Sequence, residues 1–161
     1  MNLTRKDNKG FSLVELIIVI AIMAVLVGVL APAYLRYVEK SRKSADVQAI
    51  DAVMRAMEMV AIDPSLNVTD GTVIKVQLLN TKKTDATSFW CEKSGDVITE
   101  LKETLGEYQL KSKDWKKIII QGTFSGGQVN FEFKEDAPQG KGLLNYASDL
   151  KLKENSSITM Q

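Results

Sequence analysis

The feature that most constrains this chain is a run of 20 residues, 16–35, that contains no charged side chain. At a helical rise of about 1.5 Å per residue, a run of this length spans about 30 Å, the thickness of the hydrocarbon core of a bilayer. It therefore predicts a transmembrane helix. Three Lys or Arg residues lie in residues 1–10 and four in residues 36–43, so positive charge does not decide the orientation of the helix.

A single carboxylate, Glu15, lies directly before this run and is the only charged side chain between Phe11 and Leu35. A charge inside a membrane segment costs about 2.5–3.5 kcal/mol or more, so such a residue usually has a function. Two plainer interpretations are a secretory signal peptide and a simple membrane anchor. The apolar region of a signal peptide is only about 7–15 residues long and ends at a small-residue cleavage site, whereas this run is longer and Arg36-Tyr37-Val38 after it is a poor site. A simple anchor leaves Glu15 unexplained.

The residues around this carboxylate resemble the class III signal sequence of type IV prepilins and of their relatives, the pseudopilins and competence pilins. The resemblance rests on Gly10, Phe11 and Glu15, and Pro32 falls where many pilins carry a proline. It implies that a membrane-embedded prepilin peptidase cuts between Gly10 and Phe11 and that Phe11 is then N-methylated. Glu15 would be the glutamate at the fifth position of the mature chain.

The resemblance further implies a structural protein and not an enzyme. Its function would be that of a subunit of a type IV pilus, with roles in adhesion, aggregation or twitching motility. The alternatives are a pseudopilin of a type II secretion system and a competence pilin for DNA uptake. Before assembly the chain would cross the cytoplasmic membrane once, and afterwards it would lie in an extracellular filament. Its partners would be copies of itself, prepilin peptidase, and the inner-membrane assembly platform with its motor.

The expected role of Glu15 follows from electrostatics. Cleavage after Gly10 leaves a free ammonium on Phe11, and an opposite charge is strongly attracted to a carboxylate in a dry environment. We expect Glu15 to pair with the ammonium of Phe11 on a neighbouring subunit and so to fix the axial register of the filament. Peptidase and neighbouring copies should contact residues 7–35.

The helix is predicted to continue beyond the membrane and to cover residues 11–62. Val53, Met57 and Val60 belong to an apolar stripe at helical spacing that also includes Val38, Ala45 and Ala49. The pair Asp63-Pro64 supplies the stop, because a residue that precedes proline disfavours the helical conformation. The chain is thus divided into a leader (residues 1–10), a membrane and assembly helix (11–35), an amphipathic continuation (36–62) and a globular head (63–161).

Gly28 and Pro32 are the weak points of the predicted helix, since glycine costs about 1 kcal/mol and proline about 3 kcal/mol in a helix interior. Membrane helices commonly tolerate both residues. Alternatively, the segment between them kinks or unwinds on assembly and lets the filament stretch. The sequence leaves both interpretations open.

After Pro64 the pattern changes to strands and turns. Strands are predicted at residues 72–79, 117–123, 129–133 and 149–153, and a short helix at 97–105 with Asp96 as its N-cap and Gly106 as its stop. The second and third strands are predicted to form a hairpin joined through Ser125-Gly126-Gly127, with the apolar residues of 129–133 on one face. The predicted fold class is α+β: a long spine helix, with its first half in the membrane, packed against a small antiparallel sheet as in the pilin fold. Loops at residues 80–93 and 135–141 are the expected outward surface.

Composition argues against several kinds of active site. The chain has no histidine, which removes the commonest general base and metal ligand, and its one cysteine, Cys91, forms no intrachain disulfide. Cys91 is interpreted as a structural thiol. No cofactor or metal is predicted, although calcium binding by a few C-terminal carboxylates stays open. A net charge of +1 does not favour nucleic-acid binding, except in the competence interpretation.

Overall fold

A computed structural model describes residues 10–81, 86–92 and 95–160. The predicted leader, apart from Gly10, lies outside the described residues, as do residues 82–85 and 93 of the first predicted outward loop. The chain divides into two units, Met1–Val38 and Glu39–Gln161. We call the second unit, Glu39–Gln161, the head.

Helix α1, Leu13–Ile62, begins two residues later than predicted and ends at the predicted residue. Asp63 caps the turn that follows, because its Oδ1 accepts a hydrogen bond from the backbone N–H of Ser65 at 2.8 Å. A short 3₁₀ helix, Pro64–Leu66, then turns the chain towards the sheet. Proline is favoured at such a start because its missing N–H needs no partner there.

The part of α1 in the head buries one face against the sheet. Val53, Met57 and Val60 are buried as predicted, whereas Ala45 and Ala49 are only half-buried. The stripe continues instead through Ile50 and Asp46, both 0% exposed. The buried face is therefore rotated from the predicted one at its N-terminal end, and it includes a carboxylate.

The head contains a five-stranded sheet in the order β2-β1-β3-β4-β5. Its strands are β1 (Val73–Leu79), β2 (Thr87–Cys91), β3 (Lys117–Ser125), β4 (Gln128–Asp136) and β5 (Lys153–Glu154). All neighbours pair antiparallel except β4 and β5, which are parallel over two residues. The predicted α+β class and the helix-on-sheet arrangement of the pilin fold are confirmed, with a mixed rather than a purely antiparallel sheet.

The hairpin of β3 and β4 forms as predicted around a two-residue turn. Gly126 and Gly127 have φ values of 58° and 75°, which glycine adopts without steric cost. Phe131 and Phe133 enter the core, and Val129 packs at its edge. Alternation of side chains along the strand thus places these three residues on the inner face.

Several head elements differ from the prediction. The segment expected as an outward loop contains strand β2, whose half-buried side chains extend the sheet by one strand. Helix α2, Gly95–Leu105, begins before Asp96, so Asp96 lies in its first turn and is not the N-cap. The last strand is β5 and not residues 149–153, because the chain from Ala147 to Leu152 forms turns. A one-turn helix, α3 (Leu143–Tyr146), was not predicted.

The C-terminal tail, residues 155–160, covers the outer face of the sheet. Ile119 on that face is 2% exposed and Ile158 in the tail is 4% exposed, although neither belongs to the main core. Lys134 Nζ donates to the carbonyl oxygen of Ile158 at 3.2 Å, and Lys75 Nζ donates to that of Thr159 at 2.7 Å. The tail therefore closes a second, smaller apolar layer.

Candidate functional site

The predicted cleavage position lies just outside the start of α1. Gly10, Phe11 and Ser12 have no regular secondary structure, and the side chain of Phe11 is 92% exposed. A Cβ atom built on Gly10 would meet no atom within 4 Å. Packing among the described residues therefore does not require glycine at this position, and both Gly10 and Phe11 are exposed.

Glu15 caps the helix that it belongs to. Its Oε2 accepts a hydrogen bond from the backbone N–H of Ser12 at 2.8 Å, and Ser12 Oγ accepts one from the N–H of Val14 at 3.4 Å. Serine followed three residues later by glutamate is the signature of a capping box, which supplies acceptors for the free N–H groups of a helix start. This local role was not predicted, although the Ser12-x-x-Glu15 spacing indicates it.

The apolar run that follows Glu15 is exposed along its whole length. The most apolar 18-residue window of α1 has a mean hydropathy of 3.1 and is 0% buried. Among the described residues, α1 is the one helix whose length and composition suit a membrane span, a test that signal sequences also meet. Water is an unfavourable solvent for such a surface, so it requires lipid or other protein chains.

Gly28 and Pro32 both lie inside α1, which is assigned as one helix through them. Outside the backbone of its own helix, a Cβ atom on Gly28 would meet no atom of the described residues within 4 Å, so no contact with them requires glycine there. The described chain thus tolerates both residues in a helix. Unwinding on assembly stays a prediction.

The head contains a second polar site, which was not predicted from the sequence. Asp46 is completely buried on the core face of α1 and accepts three hydrogen bonds, each 2.8 Å long. The donors are the hydroxyl of Tyr108 and the backbone N–H groups of Lys111 and Ser112. Burial, together with the hydrogen bond to Asp46, raises the pKa of the Tyr108 phenol. An acid four residues before Ile50 in an apolar stripe was the available signal.

Two other residues of α1, Glu39 and Lys43, bond to the loop that also contacts Asp46. Glu39 Oε1 accepts hydrogen bonds from Ser112 Oγ at 2.6 Å and from the N–H of Lys113 at 2.9 Å. Lys43 Nζ lies 2.7 Å from Asp114 Oδ2, and this hydrogen bond holds the pKa of the Asp114 carboxyl below its usual value. We call residues 107–114 the docked loop. Three consecutive turns of α1 fix its position.

Other chemically active groups do not assemble into a site in the described part of the chain. No group of three or more Cys, Asp or Glu residues that could hold a metal ion occurs there. Cys91 is half-buried and packs against the main core. The described residues thus offer two organised features: the start of α1 around Glu15, and the docked loop.

Comparison with known proteins finds a known motif at the first of these features, the start of α1. The prokaryotic N-terminal methylation motif matches residues 5–31. The chain is 26% identical over 134 residues to the fimbrial protein EcpC of Eikenella corrodens, covering 83% of this chain and 86% of that protein. It is 32% identical over 63 residues to prepilin peptidase-dependent protein A of Clostridium perfringens (strain 13 / Type A), covering 39% of this chain and 45% of that protein. No solved structure gives a significant match.

The matched motif contains Gly10, Phe11 and Glu15 and extends into the apolar run. The first of these relatives also matches through the head, where the chain has the helix-on-sheet arrangement described above. The chain therefore carries the prokaryotic N-terminal methylation motif and is similar along most of its length to a fimbrial protein, which is consistent with a type IV prepilin.

Proposed function

We propose that this chain is the precursor of a structural subunit of a type IV pilus. Prepilin peptidase cuts it between Gly10 and Phe11, Phe11 is N-methylated, and the mature chain polymerises through its N-terminal helix. The observation that carries the proposal is Glu15: a lone, exposed carboxylate within the methylation motif, at the start of an exposed apolar helix. A charge in a membrane segment is costly and usually has a function, and a plain membrane anchor would not need one.

Glu15 has two partners in this mechanism. The backbone nitrogen of Phe11 directly precedes that of Ser12, to which Glu15 is bonded at 2.8 Å, so cleavage creates the ammonium within one residue of the carboxylate. The membrane-bound subunit pairs these charges within itself. In the filament the ammonium of a neighbouring subunit replaces this partner, and any axial slip leaves charges buried without compensation.

Glu15→Ala tests this role. It is expected to leave membrane insertion and cleavage after Gly10 unchanged and to abolish surface filaments, because the register-fixing pair is lost. Glu58→Ala is the matched control, since Glu58 is an exposed acid on the same helix. Filament yield is measured by shearing and electron microscopy. Normal filaments from Glu15→Ala would refute the assembly role.

The location and partners follow from the same proposal. The leader lies in the cytoplasm, where the peptidase works, residues 16–35 cross the membrane, and the head lies outside the cytoplasm. An assembly platform and motor add the subunit to the base of a filament of identical chains. Adhesion, aggregation or twitching motility would then be functions of the assembled filament.

The decisive experiment is intact mass and N-terminal sequencing of the protein sheared from its native cells. A chain that starts at N-methylated Phe11 and is recovered in long filaments supports the proposal. A processed chain that stays with the cells without filaments favours a pseudopilin or a competence pilin. A chain that starts near Met1 contradicts both and leaves a membrane anchor.

A further inference from the structure

A basic groove lies where the docked loop meets α1 in the head. It has a volume of about 660 Å³, and its charged lining consists of Arg42, Lys111, Lys113 and Glu107. Lys111 and Lys113 are exposed, as is Lys40 nearby on α1. Three cations against one acid give the groove itself a local charge of +2, although the whole chain carries only +1.

Asp46 and Asp114 do not cancel this charge, because they bond inward, whereas Glu39 partly offsets the charge of Arg42. Asp46 is buried beneath the loop, and Asp114 bonds to Lys43 and Lys141. Glu39 uses Oε1 for the loop, and its Oε2 lies 3.6 Å from Arg42 Nη1. The carboxylates thus fix the loop, and the basic side chains stay on the surface.

The groove also has a defined place along the chain. Arg42 follows the last residue of the charge-free run by seven residues, which span about 10 Å as a helix and about 25 Å at full extension. Asp46 and Glu39 hold the backbone of Lys111 and Lys113 against the same stretch of α1. The length of the chain therefore keeps Arg42 within about 25 Å of the end of the membrane segment, whatever the position of the head.

We propose that this groove docks on anionic lipid headgroups before the subunit enters a filament. The inference rests on the membrane location under the proposed function. The phosphate of a headgroup carries the charge opposite to the groove, and the planar guanidinium of Arg42 can bind two of its oxygens while lysines bind it as point charges. Docking holds the head on the membrane surface through the groove cations Arg42, Lys111 and Lys113, helped by the exposed Arg36 and Lys40.

Fluorescence quenching in vesicles tests the docking. The full chain, carrying Cys91→Ser and a fluorophore on Gln109→Cys, is reconstituted in phosphatidylcholine or in equimolar phosphatidylcholine and phosphatidylglycerol. Gln109 is exposed and lines the groove. A quencher attached to the headgroups is expected to act more strongly in the anionic vesicles. About 1 M salt should remove the difference, because the Debye length falls to about 3 Å.

A charge-neutralised pair identifies the site. Lys111→Gln with Lys113→Gln is expected to lower the docking equilibrium constant roughly 25-fold, from about fivefold per lysine. The loop should keep its fold, since it is held through the backbone N–H groups of these residues. Lys102→Gln with Lys151→Gln is the matched control and should leave quenching unchanged, because both lysines are exposed and neither lines the groove.

The outcomes separate the two proposals. Equal quenching in both vesicles, with the chain still membrane-bound after alkaline extraction, overturns the docking and leaves the proposed function intact. Release by alkaline extraction overturns both. Quenching that rises with protein density and not with phosphatidylglycerol assigns the groove to a second copy of the chain and overturns the lipid proposal, as does equal loss in the control pair.

Discussion

Asp46→Asn should destabilise the head far more than its size suggests. The amide keeps Oδ1, which accepts from Tyr108 and Lys111, but places an NH₂ group where Oδ2 accepted from Ser112. One hydrogen bond to a charged acceptor, worth about 1.5–3 kcal/mol, is lost, and the N–H of fully buried Ser112 is left facing a donor. We expect a loss of about 3 kcal/mol, a large part of the about 5–15 kcal/mol typical of a domain.

The assay is denaturant unfolding of the full chain in detergent micelles, followed by the fluorescence of buried Trp115. Asp51→Asn is the matched control on the same helix. Asp51 pairs with Arg55 at 2.9 Å, but the side chains are 42% and 73% exposed, so its loss should cost about 0.5 kcal/mol or less. Equal unfolding midpoints for the two variants would refute the reasoning that Asp46 anchors the docked loop.

Three further predictions concern the same unit. In the native chain the pKa of the folded Tyr108 phenol is raised above its ordinary value of 10.0, so the free energy of unfolding falls as pH rises above 10.0. Tyr108→Phe should reduce this alkaline loss of stability, as measured by thermal melts at several pH values, and an unchanged loss would contradict the role of Tyr108. Ile158→Ala should cost about 2 kcal/mol in the same melts, the lower end for a buried truncation because a tail can relax, and no loss would mean that the tail covers nothing. Gly122→Ala should cost about 1–3 kcal/mol in denaturant unfolding, since its Cβ would lie 3.0 Å from Met57 Sδ and 3.1 Å from Val129 Cγ1; a stabilised variant would contradict this packing.

The long helix and the hairpin could be predicted because their signals are local. The end of α1 at Ile62 follows from the proline two residues later, and the turn at Gly126 and Gly127 follows from the freedom of glycine to adopt positive φ. The α+β class follows from the change from helical spacing of apolar residues before Pro64 to the alternation typical of strands after it. None of these signals requires knowledge of what lies next to the element in space.

The sequence predictions were wrong where residues far away in the chain determine the local structure. Strand β2 lacks clear alternation because all five of its residues are half-buried at the sheet edge, and only pairing with β1 reveals it. The helical stripe was placed on Ala45 because aspartate is rarely buried. Asp46 is buried there because a loop more than sixty residues away supplies its three donors.

The sequence by itself determined the methylation motif, the apolar run, the lone carboxylate and the absence of histidine. Each of these depends only on which residue types occur and on their spacing along a short stretch of chain. The tertiary structure decided that Asp46 and Glu39 turn inward to hold the docked loop and that Arg42, Lys111 and Lys113 share one groove. The physical reason is that a charge has its effect through its neighbours in space. Folding brings those neighbours together from parts of the chain whose separation the sequence pattern does not encode.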